Sequence, residues 1–175
     1  MRVIRKILTD LPKGFSLPVI IVEHISPNSD NFWIKSLNKI CKLMVKEADE
    51  KEKIKKSTVY IAPPGYHLLI EQDFTFSLSS DERVNFSRPS IDVLFETAAD
   101  AYKESLIGII LTGANNDGAK GLKMIKKNGG LTIVQDPSGA EVDIMPLAAI
   151  LSAKPDFILA IKEIAPKMID LQKKI

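Results

Sequence analysis

Five short runs of the chain are almost wholly apolar and rich in β-branched residues. They are 19–25 (VIIVEHI), 59–62 (VYIA), 107–111 (IGIIL), 131–134 (LTIV) and 157–161 (FILAI). Unbroken apolarity of this kind suits strands covered on both faces, as in a parallel sheet, because a strand with one wet face would alternate. Between the runs, apolar residues recur at helical spacing. Val3, Ile4, Ile7, Leu8 and Leu11 fall on one side of a helix over 1–11. Further helices are predicted over 30–45, 90–105, 117–127, 146–152 and 164–171, with Asn128-Gly129-Gly130 as a stop signal. The stretch 67–80 (HLLIEQDFTFSLSS) differs: it alternates, follows the turn Pro63-Pro64-Gly65, and predicts a β-hairpin turning near Gln72-Asp73. Alternating strands and helices with one antiparallel insertion give an α/β fold.

Composition narrows the class. The chain has 175 residues, 45% hydrophobic and 26% charged, which suits a single domain over 1–175 with a sizeable core. A net charge of +2 with interspersed signs points neither to nucleic acid nor to a membrane surface. The densest charged stretch, 46–56 (KEADEKEKIKK), mixes both signs and reads as a solvated loop. Cys41, the single cysteine, excludes an internal disulfide, fits a reducing compartment and lies in an apolar helical pattern, so an inert buried thiol is expected. No signal peptide and no run long enough to span a bilayer is evident. Two histidines and one cysteine at unhelpful spacings give no metal set, and no cofactor is expected.

Open α/β sheets place their sites beyond the carboxyl ends of the strands. Two strand ends here carry reactive groups. The first run delivers His24, and the run 107–111 opens into Ala114-Asn115-Asn116-Asp117-Gly118. If those strands are neighbours, an imidazole and a carboxylate meet at one edge of the sheet. A carboxylate accepting a ring N–H fixes the tautomer of a histidine and stabilises the imidazolium formed when it takes a proton. A serine, threonine or cysteine would complete a nucleophilic triad. Plainer roles stand beside this one: His24 as a hydrogen-bonded histidine at a strand end, and Asp117 as N-cap of the 117–127 helix. His67, at the start of the hairpin, reads as structural. The order of Gly113, Gly118 and Gly121 matches neither standard phosphate-binding fingerprint, which disfavours a nucleotide-binding protein.

The stretches HISP, VYIAPPGYHLLIE, RPSIDVLFETAA, GIILTGANNDGAKGLKMIKKNGG, LTIVQDPSGAEVDIMPLAAI and DFIL occur in this order. Together they closely resemble the catalytic domain of the CheB-type chemotaxis methylesterases, over about 4–169. The resemblance implies a doubly wound α/β domain with a mostly parallel sheet, helices on both faces and the hairpin as an insertion. It implies a cytoplasmic enzyme that hydrolyses γ-glutamyl methyl esters on the cytoplasmic helices of chemoreceptors, releasing methanol, and that in many members also deamidates glutamines. The mechanism is of the Ser-His-Asp kind. The family's histidine falls on His24 and its aspartate on Asp117.

The sequence also departs from that pattern. The family's serine lies in a Gly-x-Ser-x-Gly-Gly turn between a first strand and the first helix. Here Met1 already sits in what reads as that helix, and no Gly-x-Ser-x-Gly occurs elsewhere. Ser26 is close to His24 but is a poor substitute, and Ser16 precedes its strand and should lie at the opposite end. Glu23 stands for the usual Gln, Ala114-Asn115 for Met-Gly, and Leu147 for the Arg that follows Met-Pro; the usual glycine before the last strand is replaced in SAKPDF. A chain without the serine is expected to show negligible esterase activity, and a non-catalytic or truncated homologue acting as a receptor- or partner-binding module is the alternative. A missing strand would leave an exposed sheet edge, with dimerisation or aggregation through it. No segment is expected to form a response-regulator receiver domain.

Overall fold

The computed structural model describes residues 1–24 and 32–173. The elements run α1 (Arg2–Asp10), β1 (Val19–Ile21), α2 (Phe32–Ile40), β2 (Met44–Glu47), β3 (Thr58–Ile61), β4 (His67–Ile70), β5 (Phe76–Ser79), α3 (Ile91–Tyr102), β6 (Ile107–Ile110), α4 (Ala119–Lys127), β7 (Leu131–Gln135), α5 (Ile144–Ala153), β8 (Phe157–Leu159) and α6 (Ile161–Leu171). The fold is α/β, with parallel strands, helices on both faces and one antiparallel pair, β4–β5, in which His67 faces Ser79 and Ile70 faces Phe76.

The parallel strands form two triplets, β1-β3-β2 and β6-β7-β8. Val19 pairs with Val59 and Ile21 with Ile61; Ile107 pairs with Leu131 and Ile133 with Phe157. One apolar cluster joins the triplets. Val45, Val59 and Ile61 of the first share it with Ile133 of the second, under α1 (Ile4, Ile7, Leu8) and α6 (Ile164, Met168). On the other face Leu94 and Ala98 of α3 cover Tyr60 and Ala62, while Leu122, Met145 and Ala149 of α4 and α5 cover Ile110 and Val134.

The strand leading to His24, β1, and the strand preceding Asp117, β6, are therefore not hydrogen-bonded neighbours. Each is an edge strand of its own triplet. Val19, Ile20 and Ile21 point alternately to opposite faces yet are all only half-buried, whereas Val59, Tyr60 and Ile61 of β3 are fully buried. Exposure on both faces at once comes from an open edge, not an open face.

The helix expected over 30–45 is a correction. Its described part, α2, ends at Ile40, and Met44–Glu47 forms β2 against β3. The two-residue period is visible in hindsight: Leu43 and Val45 are buried and Met44 is 62% exposed. The charged stretch 46–56 is likewise more than a solvated loop. Lys46 and Glu47 belong to β2, and backbone bonds tie Lys51, Glu52 and Ile54 to Phe74 and Phe76 of the hairpin. Lys46 and Glu52 are half-buried and pair with each other at 2.8 Å, and the remaining charges from Asp49 to Lys56 are mostly exposed. Cys41 is half-buried just past α2, and burial pushes its thiol pKa up.

Candidate active site

Beyond β1 the chain leaves the ladder at Val22 and delivers His24. Beyond β6 it makes the turn 111–118. The two meet: His24 Nε2 lies 2.8 Å from Asp117 Oδ2. The imidazole is a quarter exposed and the carboxylate wholly buried, with side-chain exposures of 26% and 0%.

Asp117 is held from all sides. Oδ1 accepts from Asn85 Nδ2 (3.0 Å), Ser90 Oγ (2.7 Å) and the Asp92 amide (3.1 Å). Oδ2 accepts from the Ile91 amide at 2.7 Å as well as from His24. Its own amide donates to Asn115 Oδ1 at 3.0 Å. Burial by itself would raise the carboxyl pKa, but the bonds from His24, the Ile91 amide, Ser90 and Asn85 outweigh it and lower the pKa to about 2.

Asp117 does not cap the helix that follows it. That helix, α4, starts at Ala119 with Gly118 (φ +88°) as its N-cap. The carboxylate caps α3 instead, taking the free amides of Ile91 and Asp92, while Ser90 at the N-cap position donates its hydroxyl rather than accepting. A negative charge at a helix N-terminus is favourable in its own right. Sequence reasoning missed this because the capped helix lies 26 residues away.

His67 supports the same carboxylate. It is 2% exposed. Its Nδ1 accepts from the Ser90 amide at 3.2 Å, and its Nε2 lies 2.9 Å from the Glu82 carbonyl. Those partners assign the ring proton to Nε2. A chain of contacts thus runs from His67 through Ser90 and Asp117 to His24.

The glycines have other work than cradling phosphate. A Cβ at Gly113 would come 2.5 Å from Met145 Cε, and one at Gly121 would come 2.5 Å from Phe95 Cβ and 3.1 Å from the Asp92 carbonyl oxygen. The Gly121 amide is taken by Asp92 Oδ1 at 2.7 Å. The turn 112–113 is stitched to the segment before α5: Thr112 Oγ1 and the Gly113 amide donate to the Val142 carbonyl, and the Met145 amide donates to the Gly113 carbonyl. Gln135, buried at the end of β7, accepts the Thr112 amide at 3.0 Å.

No hydroxyl or thiol among the described residues hydrogen-bonds His24. Ser16 lies at the far end of β1, where its hydroxyl donates to Gln172; Ser26 lies outside the described residues. Glu23 pairs with the α-ammonium of Met1 at 3.2 Å. Among the described residues there is no cluster of side chains fit to hold a metal ion, and no helix long and apolar enough to cross a membrane.

Comparison with known proteins agrees with this architecture. The crystal structure of the Thermotoga maritima CheB methylesterase catalytic domain superposes with a TM-score of 0.93 at 34% identity, covering 97% of this chain and 92% of that one. A Leptospira interrogans protein named "Putative protein-glutamate methylesterase/protein-glutamine glutaminase" is 56% identical over 169 residues, 97% of this chain and 88% of that protein. The protein-glutamate methylesterase/protein-glutamine glutaminase of Archaeoglobus fulgidus is 38% identical over 162 residues, 88% of this chain but only 46% of its own length. The Thermotoga maritima protein of the same name is 34% identical, and the match spans 49% of it. The chain thus spans most of the Leptospira protein and about half of the other two. The CheB methylesterase family profile matches residues 1–168. With the match extending over nearly the whole chain, it belongs to the CheB methylesterase family.

Proposed function

We propose that His24 and Asp117 are the base and the orienting carboxylate of a Ser-His-Asp esterase that hydrolyses γ-glutamyl methyl esters on chemoreceptor helices. The observation that carries this reading is the 2.8 Å contact between an imidazole that is a quarter exposed and a carboxylate that is buried and fully hydrogen-bonded. Asp117 is held ionised well below neutral pH, so it can accept the Nε2–H of His24 and stabilise the imidazolium. That leaves Nδ1 as the ring atom that would take the proton of an attacking hydroxyl. The alcohol then attacks the ester carbonyl, His24 returns the proton to the departing methoxide, and water repeats the cycle on the acyl-enzyme. Deamidation of a glutamine would follow the same course with ammonia leaving.

The described residues supply the base and its orienter but no hydroxyl on His24. That observation favours a second reading, a non-catalytic module that docks on receptor helices. A fluorophosphonate probe for activated serines, followed by mass mapping, separates them. A labelled serine in the chain as it stands supplies the nucleophile. Labelling only after a strand ending in Gly-x-Ser-x-Gly-Gly is grafted ahead of α1 identifies an esterase scaffold that needs that turn. No label in either form overturns the esterase reading and leaves the binding module.

A further inference from the structure

The connection between β5 and α3 carries a feature that the His24–Asp117 chemistry does not use. Val84 and Ser87 exchange backbone hydrogen bonds, Val84 N–H to the Ser87 carbonyl at 3.2 Å and Ser87 N–H to the Val84 carbonyl at 2.9 Å. The two residues between them, Asn85 and Phe86, have φ of +50° and +63°. This is a two-residue hairpin turn of the primed type, whose second position normally holds glycine.

Asn85 suits its place. Its Nδ2 donates both to Asp92 Oδ2 (2.9 Å) and to Asp117 Oδ1 (3.0 Å), so the tip is tied to the same carboxylate that orients His24. Asn115 Nδ2 approaches Ser87 Oγ at 3.4 Å from the other side. Phe86 does not suit its place by any internal criterion. A left-handed backbone costs a side-chain-bearing residue about 1–2 kcal/mol, and the ring is 97% exposed. Phe74 makes the informative contrast. It has the same φ of +63°, but its ring sits 5.0 Å from that of Tyr102, so packing offsets the strain. Among the described residues Phe86 has no ring contact. A strained and solvated aromatic thus stands next in the chain to Asn85, which hydrogen-bonds the carboxylate that holds His24. Rigid aromatics of this kind are the usual anchors of protein recognition.

We propose that Phe86 is a substrate-contact residue whose ring packs on the side chains one helical turn from the glutamyl group presented to His24 and Asp117. Residues three and four apart lie on the same face of a helix, so a helix offering its glutamyl ester to the pair carries such side chains toward the hairpin tip. The inference rests on the reading that a receptor helix is what this site receives.

The test uses the whole chain, with a fluorescently labelled chemoreceptor cytoplasmic helical fragment, methylated at its glutamates, as the probe. Phe86→Ser is expected to weaken binding at least tenfold while leaving the Tm unchanged, because serine carries a Cβ in the same left-handed backbone and the exposed ring makes no packing contact to lose. A photo-crosslinking benzoylphenylalanine at position 86 is expected to capture the fragment within about one turn of a methylated glutamate. If the unmodified chain binds and Phe86→Ser binds within twofold of it, or the crosslink maps far from the methylated positions, this inference falls alone. If the unmodified chain does not bind the fragment, the receptor reading falls and takes this one with it.

Discussion

At the scale of single residues, Asp117 accepts five hydrogen bonds through its carboxylate, and its chemistry can be tested in solution. Its carboxyl pKa falls from 3.8 to about 2, so the folded state holds the ionised form more tightly than the unfolded chain does. The resulting stabilisation, about 2 kcal/mol, is fully present above pH 4 or so and is lost as pH falls through about 2. Asp117→Asn cannot titrate. The gap in unfolding free energy between wild type and Asp117→Asn should therefore shrink by about 2 kcal/mol from pH 6 to pH 2, as read by urea melts; a constant gap would refute the ionised-carboxylate account. His24 and Asp117 could be found in the sequence because each breaks an apolar run at a strand mouth. Their supports could not. Asn85, Ser90 and His67 lie 32, 27 and 50 residues before Asp117 in the sequence, and no local pattern marks a residue whose partner is so distant. Phe86 escaped for the opposite reason, since an exposed phenylalanine in a polar loop looks like noise until its backbone conformation is known.

At the scale of elements, α3 and α4 meet without room to spare. Gly121 lets the backbone of α4 approach Phe95 and the carbonyl of Asp92, and its amide binds the Asp92 carboxylate. Gly121→Ala would gain about 1 kcal/mol of helix propensity but force the helices apart, an overpacking cost of about 1–3 kcal/mol. Net destabilisation in urea is expected, together with a weaker Asp92–Asn85 contact and hence a looser hairpin tip. A Gly121→Ala protein more stable than wild type would show that the approach is not tight. The type of most elements was legible from apolar period: all five of the apolar runs contain strands, and the hairpin falls at 67–79. The failure at β2 has a physical cause. Buried Leu43, just before the strand, and buried Val45 within it follow directly on the apolar positions of α2, so a helical period runs on through residues that actually alternate.

At the scale of the whole molecule, the dominant feature is the seam between the triplets. β1 and β6 are each paired along one edge, and their half-buried apolar residues invite a further strand. Self-association is the expected outcome, with a light-scattering mass above that of the monomer that grows with concentration; a monomer over the whole accessible range would mean the edges are protected. The sequence could suggest an open edge only through the family pattern, because apolar periodicity specifies strands and not which of them pair. The seam does not, however, divide the protein in two. α1, from the front of the chain, packs on α6, from its end, and both lie over a cluster drawn from the two triplets. The first helix and the last thus clasp each other across a line that no backbone hydrogen bond among the described residues crosses. Neither triplet can shed its helix without uncovering the other, so the molecule is expected to melt as one cooperative unit although its parallel strands form two separate sheets.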